Sequence, residues 1–319
     1  MSTGPSVSIV IPTFNEERFL RATLDAVDAQ TYREIVEVIV ADGQSTDATR
    51  AVAAEFARVQ IVDNPARIQA AALNRAIEAC SGEIVVRVDG HCVIDRDYVA
   101  RCVDALVTTG AAMVGGAMSP VGEGRRQRGI ARAMRSRLGA GPARFHVGGA
   151  PGWVDTVYLG AFWRDDALAV GGYAEDMVAN EDAEFAIRMS ARGGVWFDPA
   201  IRSSYAPRDG FVPLVRQFYR YGRSRAATAR RHPSSIKARQ LAAPALVLAM
   251  LSPNRKQWLA VYAAVVAGRS ALELRRGAAT AATFAVALPT MHFAWGTGFL
   301  VGLASPEHAT AAAVDVPEE

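Results

Sequence analysis

The chain is poor in several things that would have directed its reading elsewhere. It has three cysteines among 319 residues, Cys80, Cys92 and Cys102, an odd number with no CxxC spacing. Neither a disulfide framework nor a structural zinc site is therefore expected, and the usage suits a reducing compartment. No GxxxxGK[ST] is present and no GxGxxG follows the first apolar run, which weakens phosphate-loop and dinucleotide readings. The opening MSTGPSVSIV lacks a basic region followed by a long apolar segment, so no secretory signal is expected and the active part is placed in the cytosol. Acidic residues are missing from 211–239, where eight basic residues lie, and a second basic cluster runs over 125–137. Such runs suit phosphates or anionic lipid headgroups, with a solvated helix face as the ordinary alternative. No nucleic-acid module accompanies the arginines, so no nucleic-acid partner is expected.

What is present is a core. Half the residues are apolar and 21 % are charged, with a net charge of +3, enough for one large domain or two. Apolar, β-branched runs at 7–12, 36–41, 59–63, 83–88 and 111–118 alternate with helical patterns at 16–29, 45–56, 68–80 and 97–106. Ser45 or Thr46 is placed to cap the second of these. Continuous apolar strands between helices indicate an α/β fold, an open, mostly parallel sheet with helices on both faces. Residues 119–152, rich in Gly, Arg and Pro, read as a loop-and-helix excursion. Strands are expected at 154–164 and 195–206 and a basic helix at 213–231. After Arg239 the character changes. Apolar runs at 241–252 and 258–268 are too short to cross a bilayer upright, whereas 278–304 has no Asp, Glu, Lys or Arg and is long enough. A buried helical hairpin is the competing reading of 278–304, but the basic flank favours the membrane. The expected partition is a catalytic domain over 1–239, an apolar helical membrane-associated region over 240–305 and a disordered tail over 306–319.

In an open parallel sheet, ligands bind beyond the carboxyl ends of the strands. Two predicted strands deliver an aspartate there, Asp42 in VEVIVADG and Asp89 in EIVVRVDGH, and PTFNEE (12–17) ends a third. An Asp before Gly is an ordinary turn former, so the pair carries more weight than either alone. Asp89 and His91 straddle Gly90, a carboxylate and an imidazole suited to Mn²⁺ and less so to Mg²⁺. NEDAEFAIRM (180–189) reads as a helix start, with Asn180 as cap and Glu181, Asp182 and Glu184 in the first turn. The carboxylates suit a helix N-terminus whether or not they do chemistry.

The stretches VSIVIPTFNEERFL, VIVADGQSTDAT, VRVDGH, GGY…NEDAEFAIRM and QFYRYG, in this order over about residues 6–235, resemble the family 2 glycosyltransferases with a GT-A fold. Within that family the chain is most similar to the bacterial ExoA-like, succinoglycan-type branch. The resemblance implies that Pro12, Thr13 and Glu16 hold the nucleoside, that Asp42 contacts the base, and that Arg67 reaches the nucleotide. Asp89 matches the first residue of the DxD metal motif, and the last position is His91 here, a departure shared with the ExoA-like branch. Asp182 matches the general base and Glu181 its neighbour. Gln217, Arg220 and Tyr221 resemble a QxxRW motif, with Tyr for Trp, near the diphosphate and acceptor.

The implied activity is an inverting, divalent-metal-dependent transfer of a sugar from a UDP- or GDP-sugar to a saccharide or lipid-linked acceptor at the cytoplasmic face of the cell membrane. Asp182 would deprotonate the acceptor, its pKa lowered by the helix terminus and raised by burial beside Glu181. A polyprenyl-phosphate sugar synthase is a neighbouring alternative. A nucleotidyltransferase lacks its Gly-rich, Lys-containing loop, and a non-catalytic sugar-nucleotide-binding subunit fits poorly with Asp42, Asp89 and Asp182 occurring together.

Overall fold

The structure, a computed structural model, describes residues 4–122, 124–177, 179–205 and 210–305, so the expected disordered tail at 306–319 lies outside the described residues. In chain order the elements are β1 (Val7–Thr13), α1 (Leu20–Asp28), β2 (Ile35–Asp42), α2 (Thr49–Ala54), β3 (Val59–Asp63), α3 (Gln69–Ala79), β4 (Ile84–Arg87), β5 (Cys92–Ile94), α4 (Tyr98–Thr109) and β6 (Met113–Pro120). There follow α5 (Arg125–Met134), α6 (Arg137–Ala140), α7 (Arg144–Val147), β7 (Gly152–Val154), β8 (Tyr158–Trp163), α8 (Arg164–Ala169), α9 (Glu181–Ser190), β9 (Val195–Tyr205), α10 (Phe211–Arg231), α11 (Ala242–Met250), α12 (Arg255–Ala271) and α13 (Ala278–Ala304). Two compact units form among the described residues, one within 4–119 and 148–205, the other within 120–147 and 210–305.

The first unit is built on one sheet of order β3-β2-β1-β4-β8-β6-β9-β5, with β7 on β9. β3, β2, β1 and β4 run parallel, as their uniform apolar composition predicts. β1 is buried at every position and runs one residue past Pro12, which pairs with Ala41 across the sheet. β8 enters between β4 and β6 and is antiparallel to both. A run of apolar residues reports burial on both faces and carries no strand direction, so this reversal was not legible in the alternation. α3 lays Ala70, Ala71, Leu73, Ala76 and Ile77 on the sheet, small side chains that bring its axis close. Each fully buried Leu or Ile of this core contributes roughly 1.5–3 kcal/mol.

Two expected helix starts are corrected. The first helix begins at Leu20 rather than Glu16, because Glu16 turns back to donate its backbone N–H to Thr49 Oγ1 at 2.7 Å. The second begins at Thr49 after Ala48, and neither Ser45 nor Thr46 caps it. Ser45 is bound to Asp42 instead, while Asp47 Oδ1 accepts from the Thr49 N–H at 2.9 Å.

In the second unit α13 is one continuous helix that passes through Pro289; the hairpin alternative does not form. It packs against α10 at glycines. A Cβ on Gly222 would sit 2.1 Å from the Trp295 carbonyl oxygen, and one on Gly298 2.1 Å from that of Tyr219. The two backbones therefore touch, as small residues allow. His292 donates Nε2–H to the Leu138 carbonyl at 2.7 Å, which leaves Nδ1 to accept from the Tyr262 hydroxyl at 2.8 Å. This is the polar pairing that an apolar helix with one imidazole requires. Glu273 is buried and receives Arg132 at 3.1 Å, Arg269 at 2.8 Å and Arg276 at 3.3 Å.

Candidate active site

The carboxyl ends of β1, β2 and β3 meet in register, with Thr13 opposite Asp42 and Asp42 opposite Asp63. Asp42 is fully buried. Its carboxylate accepts from the Ser45 N–H at 3.1 Å, from the Ser45 hydroxyl, and from Arg50 Nη1 at 3.1 Å; Arg50 also reaches Asp63 at 2.7 Å. Asp42 thus organises its own loop, and any further partner meets a carboxylate already held in place. Thr13 Oγ1 is buried with no hydrogen-bond partner among the described residues. The loops that follow these strands carry Asn15, Gln44 and Arg67 at φ of 53°, 62° and 57°. Left-handed backbone at non-glycine residues costs energy and clusters where loops are shaped for a ligand. Arg67 Nε donates to Gln44 Oε1 at 3.3 Å, and its guanidinium lies 5.8 Å from the Phe14 ring centre. The structure therefore brings Arg67 to the β1 and β2 loops.

The turn after β4 presses against the end of β1. A Cβ on Gly90 would lie 3.1 Å from Thr13 Cγ2 and 3.2 Å from Glu16 Cγ, and the Gly90 carbonyl accepts from the Thr23 hydroxyl at 2.9 Å. On one side of Gly90, His91 Nδ1 lies 2.8 Å from Glu16 Oε1. An ionised carboxylate only accepts, so Nδ1 is the ring nitrogen that donates in this contact. Glu16, expected at the nucleoside, is therefore first of all the group that orients His91.

On the other side lies Arg87, which the sequence reading passed over as part of an apolar strand. It is buried. Its Nε donates to Asp89 Oδ1 at 2.9 Å and its Nη2 approaches Oδ2 at 3.5 Å. Nη1 is 3.6 Å from Glu181 Oε1 and makes no hydrogen bond among the described residues; the guanidinium sits 5.9 Å from the Tyr173 ring centre. Gln69 Nε2 also donates to Asp89 Oδ1, at 3.3 Å. One buried cation thus stands between the strand-end aspartate and the first turn of α9. The available signal was the charge itself, since a buried Arg demands partners.

α9 forms as expected, but Asn180 does not cap it with its side chain. It adopts φ 59° instead, which turns the chain into the helix and presents Glu181 to the interior. Glu184 pairs with Arg188 one turn on at 2.6 Å, a structural ion pair. Glu181 is buried; burial and the neighbouring Asp182 push its pKa up to about 7, against the opposing pull of Arg87. Asp182 keeps a partly exposed edge, yet burial raises its pKa too, opposed by Arg87 and by the Ala183 N–H bonded to Oδ1 at 2.7 Å. The helix terminus loses to desolvation here.

A carboxyl whose folded pKa is raised binds its proton more tightly in the native state. Its contribution to stability is complete below the unfolded value near 4.5 and is lost as pH rises through about 7. Glu181→Gln is accordingly expected to flatten the fall in melting temperature over that window relative to the wild type, as thermal unfolding at a series of pH values would show. An unchanged slope would contradict the assignment.

Asp89 and His91 supply a carboxylate and an imidazole, and among the described residues no group of three or more His, Cys, Asp or Glu is placed to hold an ion. Each is a ligand type that a divalent cation accepts; Asp89 is held by Arg87 and Gln69, and His91 by Glu16. In the second unit Gln217 Nε2 donates to the Tyr221 hydroxyl at 3.0 Å, so the first and last residues of the QFYRY stretch are tied on one helix face, and Arg220 is exposed.

Residues 8–167 match the family described as Glycosyl transferase family 2. The succinoglycan biosynthesis protein ExoA of Rhizobium meliloti (strain 1021) is 34 % identical over 314 residues, 93 % of this chain and 94 % of that protein. The chain belongs to glycosyltransferase family 2. This glycosyltransferase also shares its fold with the mannosyltransferase PcManGT from Pyrobaculum calidifontis, solved in complex with GDP-Man and Mn²⁺. That likeness has a TM-score of 0.62 at 23 % identity and covers 96 % of this chain and 89 % of that one. S. aureus TarS 1-349 in complex with UDP is similar at a TM-score of 0.53 and 14 % identity, over 92 % of this chain and 90 % of that one. The expected GT-A architecture is thus borne out. The family match of this glycosyltransferase ends at residue 167, before α9, whereas the likeness to ExoA runs on through it.

Proposed function

We propose that this glycosyltransferase moves a sugar, with inversion, from a UDP- or GDP-sugar to a hydroxyl of a saccharide or lipid-linked saccharide in bacterial polysaccharide synthesis, with a divalent metal and at the cytoplasmic face of the membrane. The observation that carries the reading is the buried Arg87 linking Asp89 to the Glu181–Asp182 turn. It ties a diphosphate-side carboxylate to an acceptor-side pair whose proton affinity is raised. The identity to ExoA over nearly the whole chain supports the polysaccharide setting, and the GDP-Man and Mn²⁺ of PcManGT support the donor class and the metal. For the membrane, support comes from the apolar content of 240–305, which includes Ala278–Ala304, among the described residues the one helix long and apolar enough to cross. We retain 1–239 as the transferase region and 240–305 as the membrane-associated region.

In this reading Pro12, Thr13, Glu16, Asp42 and Arg67 line the nucleoside end, the unpartnered Thr13 hydroxyl being the donor in reserve. Asp89 and His91 hold the metal, which when bound neutralises charge on the departing diphosphate. Glu16 fixes the His91 ring. Asp182, at the partly exposed edge, accepts the acceptor's proton, and Glu181 keeps that edge from being stabilised as a free anion. Gln217, Arg220 and Tyr221 are assigned to the diphosphate and acceptor on the strength of their motif.

Two measurements test this. Proton NMR of the product made from an α-linked donor should show a β linkage, and an α product overturns inversion. Mn²⁺ binding with nucleoside diphosphate present, followed by electron paramagnetic resonance, should weaken by about 10- to 100-fold in Glu16→Gln, the usual cost of losing a group that orients a metal-bound histidine. Unaltered Mn²⁺ affinity in that variant would remove Glu16 from this role.

A further inference from the structure

Between Trp258 and Gly268 α12 carries no charged residue and is apolar all round, yet only one stripe of it is buried. Tyr262, Val266 and Ser270, spaced at four residues, turn inward; Tyr262 bonds His292 on α13, and Val266 and Ser270 are buried. The neighbouring stripe carries Trp258, Val261 and Val265, which are 51 %, 59 % and 48 % exposed, and the last turn of α11 and the connection after it add Leu248 and Leu251 at 53 % and 78 %. A helix apolar all round is ordinarily enclosed by protein or lipid. α12 has 17 residues, about 25 Å at 1.5 Å per residue, and begins with Arg255 and Lys256, so it is too short to cross a bilayer upright. α13 is long enough but is the helix around which the unit packs, its glycines in contact with α10.

Charge identifies the occupant. Residues 210–305 hold thirteen Lys and Arg and a single acidic residue, Glu273, and that carboxylate is buried under three arginines. Arg255 and Lys256 are exposed beside Leu251 and Trp258, a cationic pair next to an aromatic anchor and an apolar tip. An apolar stripe with a cationic pair at its N-terminal end suits the boundary between acyl chains and anionic headgroups, where Trp settles and Lys and Arg reach up to the phosphates. Repulsion between like-charged pairs disfavours a second copy of this chain on the same face.

We propose that the α11–α12 hairpin docks this enzyme on an anionic lipid surface by lying in the interface, while α13 remains an internal helix of its unit. The inference rests on the membrane reading above and specifies the element that makes contact. The test is flotation of the full-length protein with vesicles of phosphatidylcholine, with or without phosphatidylglycerol. Wild type is expected to float with the anionic vesicles, and Trp258→Glu/Val261→Glu to lose binding on the order of 100-fold. Both positions are solvent-facing, so the melting temperature should not move. Arg255→Gln/Lys256→Gln is expected to lower binding to anionic vesicles by about fivefold per cation, with little change on neutral ones. Trp258 emission should be quenched by brominated lipid, with the signal gone in Trp258→Phe. If the Glu pair floats as well as wild type, the hairpin assignment is overturned and the membrane reading passes to another element. If wild type floats with neither vesicle, the proposal and the membrane reading fall together; if it sediments as a dimer that the Glu pair dissociates, the hairpin assignment alone is overturned. The transferase reading, tested by nucleotide release, is unaffected.

Discussion

Asp182→Asn is expected to give a folded protein that binds its donor and transfers sugar about 10²- to 10⁴-fold more slowly, the range over which a positioned general base contributes. The amide keeps the shape and can still accept from the Ala183 N–H that now bonds Asp182 Oδ1, but it cannot take a proton. The affected quantity should be kcat with acceptor present, while donor affinity, measured by calorimetry, stays within a few-fold of wild type. Glu181→Gln is expected to do less to kcat and more to its pH profile, because Glu181 is buried while Asp182 keeps a partly exposed edge, and burial with the neighbouring Asp182 holds the Glu181 carboxyl toward its protonated form. Near-wild-type transfer by Asp182→Asn would point to an acceptor that needs no deprotonation, such as a polyprenyl phosphate. Loss of donor binding would instead place Asp182 at the nucleotide.

Arg87→Met should cost about 3–5 kcal/mol of stability, the usual consequence of removing one member of a buried ion pair and leaving the other uncompensated. Arg87 is the cation for Asp89 at 2.9 Å and Glu181 at 3.6 Å, and all three side chains are buried. Denaturant unfolding at neutral pH would measure the loss. Without Arg87 the remaining carboxyls hold their protons to higher pH, so the defect should shrink as pH falls. Arg87→Met/Asp89→Asn should recover part of the loss, since it leaves one fewer uncompensated charge. A single variant as stable as wild type, with an unshifted pH profile, would mean that Arg87 does not carry the electrostatics of the site.

The parallel half of the sheet was legible because β1, β2, β3 and β4 are short, β-branched and flanked by helices, and strand-end Asp42 and Asp89 followed from it. The antiparallel entry of β8 was not, since YLGAFW is as apolar as a parallel strand. The cap at Asn180 was misread for a related reason: Asn serves helix starts either by side-chain capping or by left-handed backbone, and residue type does not choose between them. Arg87 was hidden in EIVVRV because pattern reading weighs the apolar majority of a strand, whereas its role depends on Glu181, 94 positions away along the chain. His91 was seen as a metal donor, but its partner Glu16 could be found only in three dimensions. The 258–268 run of α12 is hydrophobic in sequence; only the fold shows that Trp258, Val261 and Val265 stay exposed among the described residues.

The most direct test of the central claim is nucleotide release by detergent-solubilised enzyme offered a panel of UDP- and GDP-sugars, with Mn²⁺, Mg²⁺ or EDTA, and with a lipid extract of the source cell as acceptor. The account predicts release from one donor that needs metal, rises with acceptor and is lost in Asp182→Asn. Failure of every sugar nucleotide to bind, metal present, would contradict it.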